Sequence, residues 1–228
     1  MALNTNIECE AIIFDLDGVL VNSTPCIERH WRRWALKNAL DADRIISLGH
    51  GRRGAEIIAE LAPHLDARDE AFRLEAVEGA DTEGIEPIDG ADALLRSLPA
   101  DRWAVATSGT RRTATTRLAH TGLPFPRVLI TSDDVTNGKP DPEPYLRAAE
   151  GLGVFAARCV VFEDAPPGIS AAKAAGMRVI AITSTFPIEA LQNADAIIRG
   201  FAEISVSLSA DGRSGPITIE IHRNGAPD

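Results

Sequence analysis

The chain has 228 residues, 45% hydrophobic and 25% charged, enough apolar material for one ordinary domain or a core carrying a smaller inserted module. With 33 acidic against 23 basic side chains the net charge is −10, a surface that repels nucleic acid and anionic lipid and argues against both as partners. Cys9, Cys26 and Cys159 lack any paired zinc spacing, no apolar run approaches the roughly 20 residues of a membrane helix, and MALNTNIECE lacks a secretory pattern, so a cytoplasmic location is expected.

Ala11-Ile12-Ile13-Phe14 is an unbroken apolar run, as expected of a strand buried on both faces. It ends in Asp15-Leu16-Asp17-Gly18, two acids and a glycine able to turn the chain. Residues 27–37 have helical periodicity, with Trp31 and Trp34 at i, i+3, and helices are predicted at 41–48, 54–61 and 69–79. No strand is predicted between Gly18 and Ile85. The reading is a helical cap, residues 19–85, inserted into a core formed by 1–18 and 86–228, with hinges at 19–25 and 82–89. Beyond Gly90, helices at 91–98, 111–121, 142–152 and 168–175 alternate with strands at 103–107, 128–131, 159–162 and 179–182. That alternation predicts an α/β fold, a doubly wound parallel sheet with a Rossmann-like core. The segments 204–208 and 217–221, around a polar turn at Asp211-Gly212, read as a C-terminal antiparallel β-ribbon extending the sheet's edge.

Polar residues fall where this architecture can use them. Asp15 and Asp17 follow the first strand, Thr107-Ser108-Gly109 a second, and Glu163-Asp164 a later one, while Lys139 stands between in Asn137-Gly138-Lys139-Pro140. In a parallel sheet those strand ends share one edge. Phosphoryl transfer needs an in-line nucleophile, neutralised phosphate oxygens and help for the leaving group. A carboxylate can attack to form an aspartyl-phosphate, and a neighbouring carboxyl can protonate the departing oxygen and then activate water. Several acids beside an anionic substrate imply a bound hard cation, which points to Mg²⁺. Lys139, one of only three lysines, can supply a point charge, while Thr107 and the amides of Ser108 and Gly109 can donate to phosphate oxygens. An isolated Asp-x-Asp, a lone strand-end Thr or a Glu-Asp pair at a helix start says little; the four in order, each near a strand end, say much more.

The stretches Phe14-Asp15-Leu16-Asp17-Gly18-Val19-Leu20, Thr107-Ser108-Gly109, Gly138-Lys139-Pro140 and Glu163-Asp164-Ala165 resemble the four signatures of the haloacid dehalogenase-like hydrolases. The resemblance spans residues 8–205, and the insertion matches the subgroup with a small helical cap. It implies Asp15 as nucleophile and Asp17 as general acid/base, with Thr107 and Lys139 on the transferring phosphoryl group. It also implies Mg²⁺ held by Asp15, the Asp17 carbonyl and Asp164, with Glu163 beside them. Within the family the chain is most similar to phosphatases of small sugar and polyol phosphates. Glu28-Arg29-His30-Trp31, His50-Gly51-Arg52-Arg53 and Thr82-Glu83-Gly84-Ile85 carry that likeness. It implies His50, Gly51, Arg52 and Arg53 facing the leaving group, Glu83 at the hinge as a further candidate, and a monomer.

The alternative within the family is a β-phosphoglucomutase-like mutase, since Val19 is common there. Those enzymes carry a His about twelve residues beyond the nucleophile, where this chain has Ile27 with His30 close by, and a cap lysine, for which only Lys37 is available. A phospho-receiver module, the non-enzymatic alternative, lacks a helical insertion after its first strand.

Overall fold

In chain order the computed structural model, which describes residues 5–209 and 215–222, contains eleven strands and eight α-helices among those residues. The first strands are β1 (Thr5–Cys9), β2 (Ala11–Phe14) and β3 (Val21–Asn22). The helices α1 (Thr24–Lys37), α2 (Ala42–Gly49), α3 (Gly54–Leu61) and α4 (Ala67–Glu78) follow. The chain returns through β4 (Glu86–Pro87), α5 (Ala91–Ser97), β5 (Trp103–Ala106), α6 (Arg111–Thr121), β6 (Val128–Ile130) and α7 (Glu143–Leu152). It continues with β7 (Cys159–Glu163), α8 (Pro166–Ala174), β8 (Arg178–Ile182), β9 (Ala196–Ile198), β10 (Ile204–Leu208) and β11 (Ile217–Ile221).

Six strands form one parallel sheet in the order β6-β5-β2-β7-β8-β9. β2 is wholly buried because its alternate side chains feed two cores. Ile12 and Phe14 join the layer holding Trp103, Phe162 and Phe201, whereas Ala11 and Ile13 join the layer beneath α7 and α8 with Tyr145 and Ile169. Phe14 anchors the first layer, stacked on Phe162 at 5.3 Å between ring centroids and edge-on to Trp103 at 6.3 Å.

The four cap helices enclose an apolar cluster of their own around Trp31, Trp34, Ile45, Ile57 and Ile58. Asp41 and Asp66 cap α2 and α4 by accepting from the backbone amides two and three residues on, which explains why those helices start where they do. No helix among the described residues is long and apolar enough to cross a membrane.

Two expectations need correction. The tail does not extend the parallel sheet: β11 is the centre of a separate antiparallel sheet, β1-β11-β10, with Ile217, Ile219 and Ile221 buried against the main core. Its other edge is Thr5–Cys9, too mixed in polarity to declare itself, and the turn at Asp211-Gly212 lies outside the described residues. The stretch between Gly18 and Ile85 does hold a strand, β3, which pairs antiparallel with β4. At two residues each, these strands are too short to show alternation, yet they tie the two cap connections together.

Candidate active site

The order β5-β2-β7 decides the site, because it makes the three strands that carry polar residues immediate neighbours, roughly 4.8 Å apart. Asp15 follows β2, Thr107 follows β5, and Glu163 ends β7 with Asp164 next. The Asp15 amide donates to Phe162 O at 3.0 Å and the Thr107 amide to Ile130 O at 2.9 Å, so each position is fixed by its neighbouring strand. Beyond Asp15 the chain folds back sharply, with the Leu20 and Val21 amides both donating to Leu16 O. Gly18 permits this turn: its φ is +79°, and a β-carbon there would lie 2.0 Å from Asp164 Oδ2.

Behind Asp15 lies a fully buried charge cluster. Lys139 Nζ donates to Glu163 Oε1 at 2.7 Å and forms an ion pair with Asp15 Oδ1 at 3.0 Å. Glu163 is saturated: Oε1 also accepts from the Tyr145 hydroxyl, and Oε2 from the amides of Asp164 and Ala165. Burial, eased by Lys139 and reinforced by Glu163 and Asp17, pushes Asp15 up to about 7. Burial and the neighbouring carboxylates of Glu163 and Asp15 raise Asp164 as well. Although burial pulls Lys139 down, the facing carboxylates hold its ammonium above the usual lysine range.

Carboxylate oxygens of Asp15, Glu163 and Asp164 can approach within 4.8 Å of one another. Asp15 Oδ1 has no hydrogen bond among the described residues, and both Asp15 and Asp164 are penalised as bare anions. An all-oxygen set of three carboxylates against the single ammonium of Lys139 fits a hard divalent cation. The saturation of Glu163 leaves Asp15 and Asp164 as the side chains free to bind one. A second group, Cys26, His30 and Asp81, is differently balanced: Asp81 Oδ2 already accepts from Arg29 at 2.6 Å and faces His30 Nε2 at 2.8 Å, joining α1 to the hinge.

The cap closes over this edge to form a cleft of about 780 Å³ of empty space, its mouth included. Asp15, Asp17 and Asp164 line it from one side with Thr107, Ser108 and Gly109, and His50, Gly51 and Arg52 line it from the cap. Gly51, at φ +79°, sits where a β-carbon would be 2.9 Å from that of Ala165, and its carbonyl accepts from Ser108 Oγ at 2.9 Å. His50 directs Nδ1 at Ile46 O, so that nitrogen carries a hydrogen, while Nε2 is buried at the cleft without a partner among the described residues.

Two expected contacts are not brought to the cleft. Arg53 binds Glu56 and the carbonyls of Val135 and Thr136, clamping the cap onto the loop that delivers Lys139. Glu83 is exposed at the hinge and does not line the cavity. Conversely, Ser23 and Arg117 are neighbours of Asp17 that the sequence did not announce. Ser23 Oγ and Arg117 Nη1 each donate to Asp17 Oδ1 at 2.6 Å, and Arg117 Nη2 donates to Glu78 Oε1 of α4 at 2.7 Å. Glu75, one turn earlier on α4, also lines the cleft. An arginine amid the threonines of residues 113–116 looks like an ordinary solvated helix residue until α6 is seen packed beneath the cap.

The family model of the haloacid dehalogenase-like hydrolases matches residues 9–176. The chain belongs to that family. Among its members, hexitol phosphatase A of Escherichia coli (strain K12) is 36% identical over 90% of this chain and 97% of that protein. Glycerol-1-phosphate phosphohydrolase 2 of Saccharomyces cerevisiae is 38% identical over 88% of this chain and 86% of that one. Among solved structures, a hydrolase from Pseudomonas syringae superposes with a TM-score of 0.76 at 26% identity, covering 84% of this chain and 94% of the other. These family relatives span both core and cap, so the likeness extends beyond the four signature stretches.

Proposed function

We propose that this hydrolase releases phosphate from a small sugar or polyol monophosphate through a phosphoenzyme formed on Asp15. The observation that carries the proposal is the convergence of Asp15, Asp17 and Thr107 on one sheet edge beneath a closed cap, with Lys139 directly behind Asp15. One carboxylate oxygen of Asp15 attacks phosphorus as the bond to the sugar oxygen breaks, and Asp17 gives that oxygen its proton. Water then attacks the phosphorus of the aspartyl-phosphate, losing its proton to Asp17, and the bond to Asp15 breaks to release phosphate. Lys139 holds Asp15 in place and offsets its charge, while the Thr107 hydroxyl and the Ser108 amide are the donors to the phosphoryl oxygens; the Gly109 amide, expected to join them, donates instead to Thr107 Oγ1 at 3.1 Å and so orients that hydroxyl. Mg²⁺, held by Asp15, Asp164 and the Asp17 carbonyl, would supply charge neutralisation between the carboxylates and the phosphate.

The cap wall supports a hydroxyl-rich leaving group. The unpartnered Nε2 of His50 and the carboxylate of Glu75 are polar groups that hydroxyls can satisfy. Arg52 is paired with Glu60, and Arg117 is shared by Asp17 and Glu78, so the cations lining the cleft already face carboxylates. The names of the hexitol and glycerol phosphate relatives support the same class. Transfer to a second hydroxyl, as in a mutase, gains no support from His30, which is turned towards Asp81 at the hinge.

Purified protein with Mg²⁺, assayed against hexitol, hexose and glycerol monophosphates, should release phosphate from a few of them, and Asp15→Asn should abolish release. Release that persists in Asp15→Asn, or sugar phosphates interconverted without free phosphate, would overturn the proposal.

A further inference from the structure

Arg117 lies on α6 of the core, only 2% exposed, with one guanidinium nitrogen on Asp17 and another on Glu78 of the cap helix α4. A buried arginine held between two carboxylates is costly unless its fork is well used. Here both terminal nitrogens are used, with only Nε left buried without a hydrogen bond among the described residues, and they join residues from opposite sides of the cleft. The contact also selects one oxygen of Asp17. Oδ1 accepts from Ser23 and Arg117 together, so Oδ2 is left as the oxygen free to exchange a proton.

We infer that Arg117 is a positioning residue that makes the acid/base geometry of Asp17 conditional on cap closure. With the cap closed, Glu78 braces one end of the guanidinium and the other end holds Asp17 by Oδ1, at the cleft that Asp17 lines. When α4 swings away, Glu78 leaves, and Arg117 is drawn wholly to Asp17 without a counter-brace. Proton delivery is then mispositioned until substrate is enclosed and water excluded. A misplacement near 1 Å is worth about a hundredfold in rate. The inference rests on the phosphoenzyme reading above.

The test uses leaving groups that differ in their need for a proton. Phosphoenzyme formation from glycerol phosphate expels an alkoxide that must be protonated, whereas 4-nitrophenyl phosphate expels a stable anion. Arg117→Lys keeps a cation between the carboxylates but cannot span both. With Mg²⁺ present, acid-quenched burst measurements should show phosphoenzyme formation from glycerol phosphate slowed about a hundredfold, with formation from 4-nitrophenyl phosphate changed less than about threefold. Glu78→Ala, which removes only the cap's half, should slow the glycerol phosphate burst about tenfold and add nothing to Arg117→Lys in the double variant. Equal loss on both substrates, or additive losses in the double variant, would show a merely structural arginine and overturn the inference. Asp15→Asn run alongside separates the cases: if it still turns over, the phosphoenzyme reading has failed instead.

Discussion

Lys139 and Glu163, both 0% exposed, are joined at 2.7 Å beneath the sheet edge, and the same ammonium lies 3.0 Å from Asp15. One cation therefore restrains two carboxylates, one of them the candidate nucleophile. Glu163 fixes the lysine, and Tyr145 braces Glu163 while presenting its ring to Lys139 at 5.0 Å. Removing one member of a buried pair costs about 3–5 kcal/mol because the other charge is stranded. Lys139→Met should lose that much in urea unfolding, together with all turnover. Adding Glu163→Gln should recover part of the stability and none of the activity.

Gly168 shows how little room this cluster leaves. A β-carbon there would lie 1.5 Å from Glu163 Oε1, so α8 can pass beneath the carboxylate only as glycine. Alanine normally favours a helix interior by about 1 kcal/mol over glycine. Gly168→Ala should do the reverse, lowering the melting temperature and cutting turnover at least tenfold by displacing Glu163 and hence Lys139. Unchanged kinetics in Gly168→Ala would mean that Glu163 does not position the lysine.

Metal binding should be visible without turnover. Asp15 and Asp164 are raised by burial and by neighbouring negative charge, so a divalent cation should stabilise the fold. At a hundredfold excess over its dissociation constant, Mg²⁺ should raise the melting temperature by about 5–10 °C. Asp164→Asn should abolish the shift, which differential scanning calorimetry with and without EDTA would record.

Glu75 gives the fold a pH dependence that can be read directly. Burial first, then repulsion from Glu78 and Asp133, offset by Arg53, push it up to about 7 from an ordinary 4.5. Both states are protonated below pH 4.5, so the group then contributes nothing. As pH rises from about 4.5 to 7 the unfolded chain loses the proton and the folded one retains it, and stability falls. Above pH 7 the full penalty applies, about 1–2 kcal/mol once solvent screening of a partly exposed group is allowed for. Glu75→Gln should therefore melt higher than the parent at pH 8 and alike at pH 4.5, the opposite of a carboxylate held in a salt bridge. If His50 and Glu75 receive the leaving group's hydroxyls, the same variant should raise KM for a polyol phosphate several-fold.

The strand ends, the helical insertion and the alternating core were all legible in the linear order of residues. An apolar run such as 11–14 and the acids that follow it are local features, and local features survive without knowledge of neighbours. Helix starts at Gly54, Ala91 and Arg111 were legible, whereas α4 begins at Ala67, two residues before the expected 69, because its capping aspartate is Asp66. The two-residue strands of the hinge and the mixed-polarity Thr5–Cys9 were not, because pairing rather than pattern makes them strands.

What the sequence determined by itself was which residue types stand at which strand end. Only the tertiary structure decided their partners, because each of those contacts joins segments remote in the chain. The sheet order β5-β2-β7 is what gathers Thr107, Asp15 and Glu163. The core beneath the sheet edge turns Glu163 inward to hold Lys139, and the cap seam turns Arg53 away from the cleft. Arg117 meets Asp17 across 100 residues and Glu78 across 39, and it is buried by surfaces that neither its own helix nor its own neighbours supply. A charge's burial and the partner that compensates it are properties of packing, and packing is not local.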